Sequence, residues 1–237
     1  MISTNKSGAL FDGFLRAEPE ELRDWMIRRQ GNMVIYCVVM IMAGAGCYGA
    51  VMGCWRDPWQ ALYTGIKLPL VILMTTLGNG LLNGMLAPLL GLNVTFRQAF
   101  ASVLLSFAVT AVVLGTLSPV ALFIVWNTPP LTAGTTAVSP EYGFLQLTLT
   151  VCVAIAGVTG NLRLLPLLRG WADNAATARN VLLAWLAVNL FLGSQISWVL
   201  RPFIWDVHRP VEFIGPDSFQ GSFFETVFKA VCRLHIL

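Results

Sequence analysis

The sequence predicts an all-α integral membrane protein, a bundle of five transmembrane helices with short interfacial amphipathic helices at the N- and C-termini. Of the 237 residues, 56% are hydrophobic and only 11% are charged, which is too few charges to keep a water-soluble domain of this size in solution. Five charge-free runs are each at least as long as the ~20 residues that cross a bilayer core. They cover 30–55, 68–96, 98–140, 142–162 and 180–200.

These runs are solidly apolar and do not alternate with polar residues, so they predict helices and not the strands of a barrel. We expect the five helices near 33–54, 69–91, 100–126, 143–165 and 180–204. The chain then divides into a cytoplasmic N-terminal segment (1–32), a transmembrane domain (33–204), and an extended tail with a C-terminal helix (205–237).

The segment before the first span, AEPEELRDWMIRRQG, predicts a short helix. Pro19 suits a first helical turn, acidic residues follow it, basic residues close the segment and Gly31 ends it. Trp25 shares one face with two other apolar side chains. We therefore expect this helix to lie along the membrane surface.

Between the first two spans, WRDPWQALYTGIK predicts an interfacial elbow. Trp55, Trp59 and Tyr63 are amphipathic aromatics, and Lys67 has the long stem of a base that reaches toward the headgroups. With Trp25 they are the expected membrane-interface anchors. The alternative function for the elbow is a site for a lipid headgroup.

Glycines at helical spacing predict close helix packing in the first two spans. Small residues let two helices approach each other in lipid, where burial of Leu gives no gain. We expect these glycines to form a packing face or an interface with a partner protein. They are Gly46, Gly49, Gly53, Gly80 and Gly84.

A stripe of uncharged polar residues adjoins the glycines of the second span. Thr75 or Thr76, with Asn79 and Asn83, recur at helical spacing, and the fifth span adds Asn189 and Gln195. Because bare amides are costly in lipid, these side chains should face protein. Two interpretations stay open: the amides bond across to a neighbouring helix, or they line a polar pathway for water, an ion or a solute.

The 98–140 run predicts one span followed by the loop NTPPLTAGTTAVSP. Pro119 should bend this third helix, and a re-entrant segment is the alternative. Near the C-terminus, Ser222 and Glu225 have the spacing of a capping box at the start of an amphipathic helix. That helix either lies on the membrane surface or docks against the spans.

The sequence offers no catalytic, cofactor or metal motif, so we expect neither an enzyme nor a cofactor. No ionisable residue lies within the charge-free runs, and there is no phosphate-binding glycine motif. Asp206, His208 and Glu212 lack the spacing of a metal motif. The net charge of +3 is too small and scattered for nucleic-acid binding.

The distribution of basic residues predicts the orientation. With the N-terminus in the cytoplasm, that side holds nine Lys and Arg residues and the other side holds six. We therefore expect an integral protein of the bacterial inner membrane with a cytoplasmic N-terminus.

Several phrases resemble the bacterial membrane proteins described as Yip1-like: QALYTGIKLPL, LNVTFRQAF and SWVLRPF. The resemblance would cover most of 45–232. It implies five spans, a cytoplasmic N-terminus and protein partners within the membrane, and it transfers no active residue.

Together these features predict a non-enzymatic membrane scaffold or assembly subunit. It would contact the lipid bilayer and associate, through its glycine faces, with itself as a homo-oligomer or with other membrane protein subunits. The alternative is a channel or transporter subunit with a pathway along the Thr and Asn residues of the second helix.

Overall fold

The computed structural model describes residues 30–129, 140–203 and 211–225, and within them it is helical with short connections. The helices are α1 (Gln30–Cys54), α2 (Pro58–Leu89), α3 (Phe96–Asn127), α4 (Pro140–Leu162), α5 (Leu164–Arg169) and α6 (Ala175–Val199). Five helical segments are long and apolar enough to cross a membrane: α1, α2, α3, α6 and the segment made by α4 with α5. The prediction of a five-helix integral membrane protein is confirmed.

The terminal helices of the prediction lie almost entirely outside the described residues. This holds for Trp25 and for everything beyond Glu225. Residues 223–225 are helical, and the Glu225 amide donates to Ser222 Oγ at 3.1 Å, as expected for the start of a capped helix.

The start of α2 corrects the prediction of an elbow. α2 begins at Pro58, not at residue 69, because Asp57 caps it: the Asp57 carboxylate accepts a bond from the Trp59 amide at 2.7 Å. Proline is well suited to the first helical position, where its missing N–H is not needed. The supposed elbow is therefore the first three turns of α2.

Other bounds differ by a few residues. α6 begins at Ala175, where the Asn174 side chain accepts from the Thr177 amide at 2.8 Å, and ends at Val199 instead of 204. Pro202 explains the earlier end, since the residue before a proline is turned away from the helical region. α3 is one continuous helix that contains Pro119, so this proline does not interrupt it.

Successive long helices run in opposite directions. α1 packs against α2 and α3, α2 against α3 and α6, α4 chiefly against α3, and α5 against α6. We call the end of the bundle that holds Asp57 and residues 200–203 the tail end, and the opposite end the Gly91 end. Gly91 has φ of +81°, which suits glycine, and Thr95 with Gln98 forms a capping box that begins α3.

Candidate functional site

The predicted glycine face of α1 is covered by α2. A Cβ added to Gly49 would lie 2.4 Å from the Thr64 carbonyl oxygen, and one added to Gly53 would lie 2.4 Å from that of Gln60. At Gly46 the nearest atom would be the Gly65 oxygen, at 3.3 Å. These glycines therefore allow two backbones of the same chain to touch.

The glycines of α2 meet aromatic side chains of α3. A Cβ on Gly80 would lie 2.1 Å from the ring of Phe100, and one on Gly84 would lie 2.3 Å from the ring of Phe96. Each phenyl ring thus lies directly beside a glycine. All five predicted glycines contact other helices of this chain, so none of them presents an open face to a partner.

A second face of α2 packs against α6, and we call this contact the α2–α6 seam. Gly193 lies beside Thr75, since a Cβ there would be 3.6 Å from the Thr75 methyl group, and Gly78 meets the Leu192 side chain. Near the Gly91 end, Gly91 itself lies opposite Thr177. These contacts place the seam along α2 from Thr75 to the Gly91 end, and along α6 from Thr177 to Gly193.

The antiparallel register of these contacts fixes which residues lie at the same level. Thr75 of α2 lies beside Gly193 of α6. Because the helices are antiparallel, Asn79, four residues after Thr75, is level with Asn189, four residues before Gly193. Asn83 comes level with Trp185 in the same way. The spacing of four residues between Thr75, Asn79 and Asn83 keeps them on one side of α2.

Seven buried polar atoms of the seam have no hydrogen-bond partner among the described residues. Two belong to the amide of Asn79 and two to that of Asn83; both side chains have no exposed surface. The other three are Thr75 Oγ1, Asn189 Oδ1 and Trp185 Nε1. Of the two interpretations of the stripe, the one in which Asn79 and Asn83 bond across to a neighbouring helix therefore has no supporting hydrogen bond among the described residues.

The energetic cost of this arrangement is large. A buried polar group that stays unpaired costs about 1–3 kcal/mol. The seam is therefore suited to hold molecules that donate and accept hydrogen bonds.

Two residues predicted for the stripe have other roles. The Thr76 hydroxyl donates to the Ile72 carbonyl of its own helix at 2.7 Å, so Thr75 and not Thr76 supplies the free hydroxyl of the seam. Gln195 lies near the tail end, where its Oε1 accepts a bond from the Phe223 amide at 3.4 Å. Asn189 also donates to Asn161 of α4 at 3.4 Å, which links α6 to α4.

The polar side of α2 continues to the tail end through Gln60, Thr64 and Lys67, all fully buried. These residues bind the chain just after α6. Lys67 Nζ donates to the Pro202 oxygen at 2.8 Å, Thr64 Oγ1 donates to the Phe203 oxygen at 3.2 Å, and Gln60 Nε2 donates to both oxygens. From Gln60 to Asn83 the stripe is about 35 Å long, the thickness of a bilayer core.

The burial of Lys67 overturns its assignment as an interface anchor. A snorkelling lysine would keep its charge in water, but Lys67 has no exposed surface. Tyr63 is half-buried and its ring meets that of Phe213 edge-on, with centroids 5.5 Å apart. Trp59 is 63% exposed, as an anchor requires, whereas Trp55 stacks on Tyr142.

Arg201 organises the segment that covers the tail end. Its guanidinium lies over the Trp198 ring at 3.8 Å and donates to the carbonyl oxygens of Asp217, Ser218 and Gln220. Residues 217–220 are thereby held against the end of α6.

The described residues contain no group of three or more His, Cys, Asp and Glu side chains that could hold a metal ion. Asp206 and His208, which lack the spacing of a metal motif, lie outside these residues. The four described cysteines are free thiols.

Comparison with protein-family models, with curated proteins and with solved structures gave no match for this chain.

Sequence reasoning missed four participants in the site: Gln60, Thr64, Asn161 and Trp185. Gln60 and Thr64 were assigned to the elbow, outside the membrane. Had α2 been started at Pro58, their spacing with Lys67 would have placed them on one helix face. Asn161 and Trp185 are harder to recognise from the sequence, because each is an isolated polar side chain in an apolar span.

Proposed function

We propose that this protein is a channel or transporter subunit, and that its uncharged polar pathway runs along the α2–α6 seam. The observation that carries the proposal is the set of seven buried polar atoms that have no partner in the described part of the chain. Hydrogen-bonding groups in lipid are stable only when they meet other such groups. Water or a polar solute in the seam would supply them.

The way α6 is held suggests how the pathway opens. Only Ala178, Val181 and Trp185 of α6 are buried, all in the half nearer the Gly91 end. Toward the tail end α6 contacts α2 at Thr75 and also residues 220–224 of the C-terminal segment. A small movement of this half of α6 away from α2 would open the seam while the contacts at the Gly91 end stay intact.

Flux through proteoliposomes tests the proposal. We expect the purified protein to raise the permeability to water or glycerol above that of protein-free liposomes, measured by stopped-flow light scattering. Asn79→Leu and Asn83→Leu should each lower this gain at least tenfold. Asn127→Leu is the matched control, since Asn127 is exposed at the end of α3 and bonds only to its own helix. Permeability equal to that of empty liposomes would refute a pathway.

A second candidate is an assembly subunit or scaffold, favoured by the surface of α6. Ser194 and Ser197 lie half-exposed in its second half, and polar side chains at membrane depth favour contact with protein over lipid. A partner helix or a second copy of the chain on this face would cover them. The glycine faces do not provide that interface, because they are used within the chain.

Photo-crosslinking separates the two candidates. A photoreactive residue at Ser197 should capture a protein in native membranes if α6 is an interface, whereas one at Leu147, on the exposed face of α4, should capture lipid. Capture of lipid alone at both positions would argue against the scaffold.

We further propose a bacterial inner-membrane location with the N-terminus in the cytoplasm, so that the tail end faces outward. The excess of Lys and Arg on the N-terminal side supports this orientation. Cys54 is exposed at the tail end and provides the test. In a Cys232→Ser background, a membrane-impermeant thiol reagent added to intact spheroplasts should label Cys54; labelling only after lysis would reverse the orientation.

A further inference from the structure

The buried ammonium group of Lys67 stands on the same side of α2 as the seam. Lys67 precedes Thr75 by eight residues, a distance of about 12 Å along the helix, and Val71 lies between them on the same face. Any molecule that follows the polar side of α2 between the tail end and Asn79 therefore passes Lys67.

The described contacts of the Lys67 ammonium group are with a carbonyl oxygen and two aromatic rings. The Pro202 carbonyl oxygen accepts a hydrogen bond from Nζ at 2.8 Å, and the rings of Phe203 and Phe213 have their centroids 5.9 and 5.2 Å away. Carbonyl dipoles and ring faces both favour a cation. Among the described residues no carboxylate pairs with Lys67. No carboxylate of this part of the chain therefore offsets the electric field of the ammonium group at the seam.

A fixed cation at a narrow, water-poor position repels other cations strongly, because the dielectric screening is weak there. Pores use an arginine or the positive ends of helix dipoles in this way to exclude protons and metal cations. Lys67 would act in this way on any molecule that follows the polar side of α2 past it.

The free groups of the seam define the complementary ligand. The unpartnered acceptors are three amide oxygens, the donors are two amide NH₂ groups and one indole N–H, and Thr75 Oγ1 serves as either. An ion of either sign would leave about half of these groups unpaired. A neutral molecule that both donates and accepts matches them.

We infer that Lys67 is a specificity-determining residue that excludes cations, and that the seam carries small uncharged hydrogen-bonding molecules such as water, polyols or amides. This inference rests on the proposed channel or transporter function.

Paired flux measurements test it in the full-length protein reconstituted in liposomes. Glycerol uptake is followed by light scattering, and potassium flux is followed with an entrapped potassium-sensitive dye. We expect the wild type to pass glycerol and to exclude potassium at least a hundredfold. Lys67→Met removes the charge and keeps the length of the side chain, so the ratio of potassium permeability to glycerol permeability should rise at least tenfold.

Lys67→Arg is the matched control, because it retains the charge and should retain the exclusion of potassium. Glycerol flux with unchanged potassium exclusion in Lys67→Met would overturn the role of Lys67 and leave the pathway standing. No glycerol or water flux in the wild type would overturn both. If Lys67→Met does not fold, the wild type still decides, since potassium flux comparable to that of glycerol refutes cation exclusion.

Discussion

Replacing Gly44 by Ala should weaken the contact between α1 and α3. The loss of stability should exceed that of a glycine substitution at a position where the added Cβ has room. A Cβ at this position would lie 2.1 Å from the Ala111 carbonyl oxygen and 2.6 Å from its carbon, well inside the 3.0 Å that real Cβ atoms essentially never undercut. Both atoms belong to the backbone of a helix and cannot rotate away. The two helices would have to separate by about 1 Å, and overpacking of this kind costs about 1–3 kcal/mol.

The control is Gly157→Ala in α4, where an added Cβ meets nothing within 4 Å. Both changes gain about 1 kcal/mol or less from the higher helix propensity of alanine, so the difference between them isolates the clash. We expect Gly44→Ala to be less stable than Gly157→Ala by about 1–3 kcal/mol. Gly80→Ala should fall between them, because the Phe100 ring that it meets can move.

Unfolding in mixed micelles of dodecylmaltoside and SDS, followed by circular dichroism, gives these free energies. Equal stability of the Gly44→Ala and Gly157→Ala proteins would show that α1 and α3 do not touch at Gly44. The described packing of the first three helices would then be incorrect.

Three further changes test other contacts by the same unfolding titration. Tyr48→Phe removes the buried hydrogen bond of its hydroxyl to the Leu149 oxygen, 2.8 Å long, and should cost about 1 kcal/mol; no loss would mean that the α1–α4 contact is absent. A double-mutant cycle of Asn161→Ala and Asn189→Ala should give a coupling of about 0.6 kcal/mol, whereas additive effects would contradict their bond. Asp57→Ala removes the cap of α2 and should cost about 0.5–2 kcal/mol, and a neutral effect would favour the elbow of the original prediction.

The sequence was sufficient to predict the five helices, because a bilayer imposes a minimum length on every apolar segment that crosses it. Glycine spacing also indicated where helices approach closely. The identity of the neighbour was not predictable: Gly80 and Gly84 face two phenyl rings of α3, and no local pattern links them. The spacing of residues determines which side chains share a face of one helix, whereas packing depends on the side chains of two helices.

The candidate site was predictable only in its central part. Asn79 and Asn83 stand out in an apolar segment, but Thr75 and Thr76 are adjacent and only their hydroxyl bonds distinguish them. The burial of Lys67 could not be predicted from the sequence, since its partner Pro202 lies 135 residues away in the sequence. Near the end of a span, an aromatic and basic segment looks the same whether it faces water or another part of the chain.

That sequence separation of 135 residues has a consequence for biosynthesis. At a translation rate of about 5–20 residues per second, α2 leaves the ribosome roughly 7–27 s before the carbonyl group that binds its lysine exists. During this interval the ammonium group must stay hydrated at the headgroups or rest against the insertion machinery. Completion of α6 then withdraws the charge into the protein, so the last span to be made completes the folding of the second.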